Sequence, residues 1–267
     1  MDGNGHGTHC AGTAASSTFG IASKANLIAV KVLGDDGTGS NDDIIQGLSF
    51  IAKEHARRKT EPGFRGSIIS MSLGSSQVVD VLDRALARTI AAGIHVSVAA
   101  GNSGLDACTS SPGKGSRESA VISVGAVDIN DERASFSNFG PCVSTYAPGV
   151  QILSTFIDPQ DPVNGQQNII NVLSGTSMAC PHVTGLIASY LSVNTNLVED
   201  PVAMKALIIA NSERVNLLPK AGDPSIAATN LGIINSSAPN RPNDTPQQAA
   251  PARRPVRGGA RRGRNRV

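Results

Sequence analysis

Short apolar runs alternate with segments of helical spacing along most of this 267-residue chain, and nothing else in it restricts the fold so strongly. Ala25-Asn26-Leu27-Ile28-Ala29-Val30-Lys31-Val32-Leu33 has the length and composition of a strand buried on both faces. Over 42–58 the residues Ile44, Ile45, Leu48, Ile51 and Ala52 supply the inner face of a helix, and Ser40, Asn41 and Asp42 can each cap its start. A strand over 67–73, a helix over 78–92 and a strand over 94–100 follow. Strands over 120–127 and 143–146 come next, then helices over 177–191 and 201–210. Strands separated by helices need crossover connections, so this order predicts an α/β fold with a mostly parallel sheet and helices on both faces. No internal repeat interrupts it.

Composition sets the limits of that body. The length suits one large domain, and 28 glycines with 16% charged residues suit a loop-rich one. No apolar run approaches the roughly 20 residues that a membrane-spanning helix needs. The net charge of +2 conceals two opposed regions. Residues 236–267 hold eight Arg against one Asp, which leaves fifteen basic against twenty acidic side chains in 1–235. The body, 1–235, is therefore mildly acidic and the tail basic. That tail is rich in Pro, Gly, Ala and Arg, lacks apolar periodicity, and is expected to be disordered. No aromatic residue interleaves its arginines, so a solvated tail is expected and a nucleic-acid partner is not.

Two segments carry chemistry. Leu173-Ser174-Gly175-Thr176-Ser177-Met178-Ala179-Cys180-Pro181-His182 sets Ser177 between a glycine turn and the first turn of an apolar helix. There, backbone N–H groups and the helix dipole favour developing negative charge. A serine nucleophile needs a base, and Asn4-Gly5-His6-Gly7-Thr8-His9-Cys10-Ala11-Gly12-Thr13 offers one. Together the two segments resemble the subtilisin-like serine proteases, most closely the proteinase K branch and its fungal vacuolar, cerevisin-type members. The resemblance covers about residues 2–232.

It implies a three-layer α/β/α subtilisin-like fold and a serine endopeptidase that acts on polypeptides as a monomer. By motif position Ser177 is the nucleophile forming an acyl-enzyme and His6 the general base, while His9, about one helical turn on, is structural. Ala99-Ala100-Gly101-Asn102 resembles the family segment that ends in the oxyanion asparagine, which makes Asn102 the second donor beside the Ser177 N–H. Extended substrate is expected against Ser72-Leu73-Gly74 and Gly37-Thr38-Gly39, with Ala100 and Gly101 at a primary pocket that Gly101 leaves open to bulky apolar residues.

One family element has no counterpart. The triad aspartate of these proteases ends an early strand, in an Asp-Thr-Gly or Asp-Ser-Gly motif upstream of the histidine. Only five residues precede His6; Asp2 belongs to the histidine motif, and Asp35 and Asp36 follow a later strand. The expectation is a fragment or shortened gene model lacking that early strand, and therefore a weak enzyme or a catalytically silent remnant that binds peptides. A fragment of this kind has no signal peptide, and Met1-Asp2-Gly3-Asn4 shows none. The full-length precursor is expected to be secreted or vacuolar.

The cysteines divide three ways. The resemblance implies a disulfide between Cys108 and Cys142 and a buried free thiol at Cys10, while Cys180, three residues after Ser177, reads as a small apolar filler on that helix. His6, His9, Cys10, Cys180 and His182 are also types that bind zinc, but a zinc site leaves the Gly-Thr-Ser turn and Asn102 without a purpose. No metal site is therefore assigned and no cofactor is expected. Calcium is common in the family, yet Ser144 stands where proteinase K has an aspartate ligand, which argues against that site here. Asn235-Ser236-Ser237 and Asn243-Asp244-Thr245 fit the glycosylation pattern of a secreted chain.

Overall fold

The computed structural model describes residues 1–158, 160, 169–213 and 233–234. The expected tail over 236–267 and both glycosylation sequons lie outside the described residues. In chain order the elements begin with helices α1 (His6–Ala15) and α2 (Asn41–Arg58), strand β1 (Ile68–Met71), helix α3 (Asp80–Ala91) and strand β2 (His95–Ala99). The one-turn helix α4 (Gly115–Glu118), strands β3 (Ile122–Val127) and β4 (Thr145–Pro148), and the hairpin of β5 (Ile152–Phe156) and β6 (Ile169–Leu173) follow. Helices α5 (Thr176–Val193) and α6 (Pro201–Ala210), with the two-residue strands β7 (Ser212–Glu213) and β8 (Ile233–Ile234), complete the set.

The main sheet has six strands in the order β1-β2-β3-β4-β8-β7, all neighbours parallel except the last pair. Its two faces take different partners because side chains alternate along each strand. Ile69 and Met71 of β1 and Val96 and Val98 of β2 point to one face, where Ile44, Leu48, Leu82, Leu86 and Ile90 of α2 and α3 cover them. Ile122, Val124 and Ala126 of β3 point to the other, against Ala179, Val183, Ile187, Met204 and Ile208 of α5 and α6. This is the three-layer arrangement the sequence predicts.

Small polar residues let α5 sit close on the sheet. Ser70 and Ser97 are register partners and both face α5. The Ser97 hydroxyl donates to Cys180 O at 3.2 Å, and Thr184 Oγ1 donates to Ser70 Oγ at 2.9 Å. Beyond α5 lies α1, wedged against the β5–β6 hairpin. Gly12 makes the wedge possible, since a Cβ there would stand 2.1 Å from Thr155 Oγ1 and 2.4 Å from Ser154 Oγ.

The expected strand at 25–33 does not form. The segment is extended but hydrogen-bonded to no strand, and Leu27 and Ile28 are 57% and 50% exposed. Val32 packs beside α2, while β1 ends the sheet with its outer edge unpaired among the described residues. An apolar run becomes a strand only when a neighbour takes its backbone groups, and none does here.

Cys108 and Cys142 are joined, across a sequence separation of 34, tying the loop after β2 to the approach of β4. Cys10 and Cys180 are free, Cys180 buried and Cys10 half-buried rather than fully enclosed. For a loop of that length the chain-entropy account gives about 4 kcal/mol from the bond. The double variant Cys108→Ala/Cys142→Ala should lose about that much in denaturant unfolding, with a steeper slope because the uncrosslinked unfolded chain exposes more surface.

Candidate active site

Helix α1 starts at His6, and a carboxylate holds that start in place. Asp2 Oδ1 accepts from Asn4 N (3.0 Å) and Gly5 N (2.9 Å), and its Oδ2 accepts from Thr8 N and Thr8 Oγ1, both at 2.8 Å. Burial alone would raise the Asp2 pKa, but these donors outweigh it and hold the group at about 2. With both oxygens occupied, Asp2 caps the helix and does not face the imidazole of His6 as a partner. His9, one turn on, is fully buried, and its Nε2 lies 3.0 Å from Ile152 O and 3.1 Å from Asn171 O. It clamps α1 to both strands of the hairpin.

Helix α5 presents Ser177 in its first turn, and a second polar group organises that turn. Asn102 Oδ1 accepts from Thr176 N and Thr176 Oγ1, both at 2.8 Å. The Thr176 hydroxyl in turn accepts from Gly101 N at 3.2 Å. Asn102 is exposed, and with its oxygen engaged this way its Nδ2 donates to no acceptor among the described residues. Gly101 is held at φ 104°, and a Cβ there would meet Asn138 Nδ2 at 2.4 Å. Only glycine suits that backbone, a constraint additional to the open pocket expected at this position.

A proline joins the two helices. Pro181 lies inside α5 and has no N–H for the carbonyl of Ser177, four residues earlier. That carbonyl is taken instead by Ser72 Oγ at 2.8 Å, from the end of β1, and by Cys10 Sγ at 3.4 Å, from α1. Cys10 Sγ also lies 3.9 Å from His6 Nε2, so it touches both expected catalytic residues. Burial pushes its thiol up to about 12, which keeps it protonated and a poor nucleophile.

Ser177 and His6 are thus neighbours through Cys10, but no hydrogen bond joins them. Ser177 Oγ donates instead to Ser72 O across 3.4 Å. Burial, and then the charge of nearby His9, push the His6 pKa below its ordinary value, with Asp2 opposing weakly. Among the described residues no carboxylate forms a hydrogen bond or ion pair with the His6 ring.

The expected substrate edges flank this pair. Ser72-Leu73-Gly74 runs on from β1 beside Ser177. Gly37-Thr38-Gly39 lies in an exposed turn closed by the hydrogen bond from Gly34 N to Thr38 O, at 2.7 Å. The turn is anchored two residues from His6, where Asn4 Nδ2 donates to Asp35 O at 2.9 Å. Ala100, buried, and Gly101 complete the rim on the Asn102 side.

The sequence profile of the subtilase family matches residues 1–245. The chain belongs to that family. Subtilisin-like protease 8 of Trichophyton verrucosum is 42% identical to this subtilase over 247 residues, which cover 90% of this chain and 46% of that protein. Cerevisin of Saccharomyces cerevisiae is 47% identical over 195 residues, covering 72% of this chain and 29% of that one. The chain therefore spans less than half the length of these relatives. A solved structure described as a cold adapted subtilisin-like serine proteinase superposes with a TM-score of 0.73 at 33% identity, covering 90% of this chain and 77% of that one. The family resemblance and the subtilisin-like fold read from the sequence are thereby established.

Sequence reasoning missed Thr176 and the capping role of Asp2 in this subtilase. Asp2, six residues before Thr8, was a readable helix-start signal. Nothing local marked Thr176, whose partner is 74 positions away. The residues weighed as zinc ligands are otherwise engaged: His9 on the hairpin, His182 Nδ1 on Met178 O at 2.9 Å, and Cys180 beside Ser97. Among the described residues no cluster of three or more His, Cys, Asp or Glu is placed to hold a metal ion.

The folded pKa of Asp2, about 2, lies below its ordinary 3.8, so its contribution to stability is complete above about pH 4 and is lost as pH falls toward 2. Discounted for solvent screening, that contribution is about 1 kcal/mol. Urea unfolding across this range should show Asp2→Asn less stable than the parent by about that amount near neutrality, with the gap closing toward pH 2.

Proposed function

We propose that this chain is the catalytic part of a serine endopeptidase that cleaves polypeptides through an acyl-enzyme on Ser177. The observation that carries the reading is the Asn102–Thr176 pair. It fixes an amide donor at the same helix start that presents the serine. In this mechanism Ser177 Oγ leaves Ser72 O and attacks the scissile carbonyl, while His6 Nε2 takes its proton and later gives it to the departing amine. The developing oxyanion is met by the Ser177 N–H and Asn102 Nδ2. Loss of the equivalent amide in subtilisin itself costs about 2.7–4 kcal/mol of transition-state stabilisation. An extended substrate lies between Ser72-Leu73-Gly74 and Gly37-Thr38-Gly39 and supplies main-chain hydrogen bonds, which favours broad side-chain tolerance.

The weak point of this machinery is the imidazole. Among the described residues no carboxylate partners the imidazolium that would form during attack, and in serine proteases loss of that partner costs about 10⁴-fold in turnover. The same gap favours a second reading, a peptide-binding subtilase remnant without turnover. The Cys108–Cys142 bond supports synthesis through the secretory route, and hence a secreted or vacuolar destination.

A fluorophosphonate probe separates the two readings. The enzyme reading expects slow labelling at Ser177 that is lost in His6→Ala. It also expects labelling to persist below pH 6.5, the ordinary imidazole value, because a base with a lowered pKa stays neutral further into acid. No labelling at any pH supports the silent remnant, and labelling indifferent to His6→Ala removes the histidine from its role.

A further inference from the structure

Helix α6 has one charged residue, Lys205, in an otherwise apolar sequence, and its amine turns inward. Its Nζ donates to the carbonyls of Ser116 and of Ser119 (3.0 Å) and lies 3.4 Å from Ser116 Oγ. Those carbonyls belong to α4 and its C-cap, where a helix leaves its last oxygens without backbone donors. Ser116 Oγ is 2.6 Å from Ser144 Oγ, which also accepts from Ser123 N at 3.2 Å. Among the described residues no carboxylate forms an ion pair with Lys205. The cage is built of neutral oxygens around a single positive charge.

Ser144 is the position where the family resemblance implies a calcium-binding aspartate. Calcium takes about six to eight oxygens, carboxylates prominent among them. Here the nearby oxygens are hydroxyls and carbonyls, none charged, and an ammonium already occupies their centre. The donor set does not fit calcium.

We propose that the Lys205 ammonium is the resident cation of this cage, tying α6 to α4 and, through the Ser116 hydroxyl, to Ser144 ahead of β4, so that the chain neither binds nor needs calcium at Ser144. Burial lowers the amine to about 8, which still leaves it charged at neutral pH. Its three oxygen partners account for a lysine placed among apolar residues.

The test is thermal unfolding of the full chain at neutral pH, in excess chelator and in millimolar calcium. The unfolding midpoint of the parent should be the same in both. Lys205→Met, which keeps the stem and removes the charge, should melt several degrees lower whether or not calcium is present, because two carbonyls lose their donor. A Lys205→Met variant that melts like the parent overturns the proposal. So does a calcium response of the parent that disappears in Ser144→Ala, whereas a response retained in Ser144→Ala belongs to another site and leaves Lys205 as the cation here. Should Lys205→Met fail to fold, calorimetric calcium titration of the parent and Ser144→Ala decides: heat lost with the hydroxyl overturns the proposal, and identical traces support it.

Discussion

The site rests on one missing hydrogen bond. Because Pro181 cannot donate to Ser177 O, that carbonyl is available to Ser72 and Cys10, and three elements meet on a single oxygen. An unbroken helix would have used the oxygen internally, leaving α1 and the end of β1 without a polar anchor at α5. The cost of a proline inside a helix is offset here by side-chain donors that fix the turn of Ser177 relative to the helix of His6. The thiol serves this purpose because burial keeps it protonated and able to donate.

Helix ends recur as the places where this chain spends its polar side chains. Asp2 closes the start of α1, Ser40 accepts from Asp43 N at the start of α2, and Asp200 accepts from Ala203 N at the start of α6. Asn102 does the same for α5 from a distant loop, and Lys205 does it for the last carbonyls of α4. Each satisfies groups that a helix end leaves without intrahelical partners. The α5 start differs from the others in one respect: its cap accepts through the Asn102 amide oxygen and leaves the Nδ2 donors unspent among the described residues. In the proposed mechanism the same residue would carry both a structural and a chemical role, with the hydroxyl of Thr176 joining them.

How far the sequence foretold this depends on how local each determinant is. Strands β2 and β3 and helices α2, α3, α5 and α6 fell close to their expected positions, since apolar spacing and caps lie within the elements themselves. Ser177, His6 and Asn102 were legible through the motifs around them, and the structure brings all three to one end of α5. The run at 25–33 misled because burial on two faces depends on neighbours that composition does not specify. Helix α1 was hidden by Gly7 and Gly12, residues poor in helix propensity, of which Gly12 is nevertheless needed against the hairpin. The hairpin itself joins Ile152–Phe156 to Ile169–Leu173, and the turn signals in the sequence between them, Asp158-Pro159 and Asn164-Gly165, went unread. Lys205 was the readable clue that went unread: a lone cation within an apolar helix asks where its charge goes.

The unpaired margin of β1 has a consequence for how such a chain behaves in company. Its backbone donors and acceptors are aligned for another strand, and the bare Leu27 and Ile28 stand on the segment that shares α2 with it. Natural sheets shield such margins with charge, proline or a covering loop, because any extended polypeptide can dock there. Among the described residues that margin has no such cover, so an extended segment of polypeptide would find backbone partners along β1.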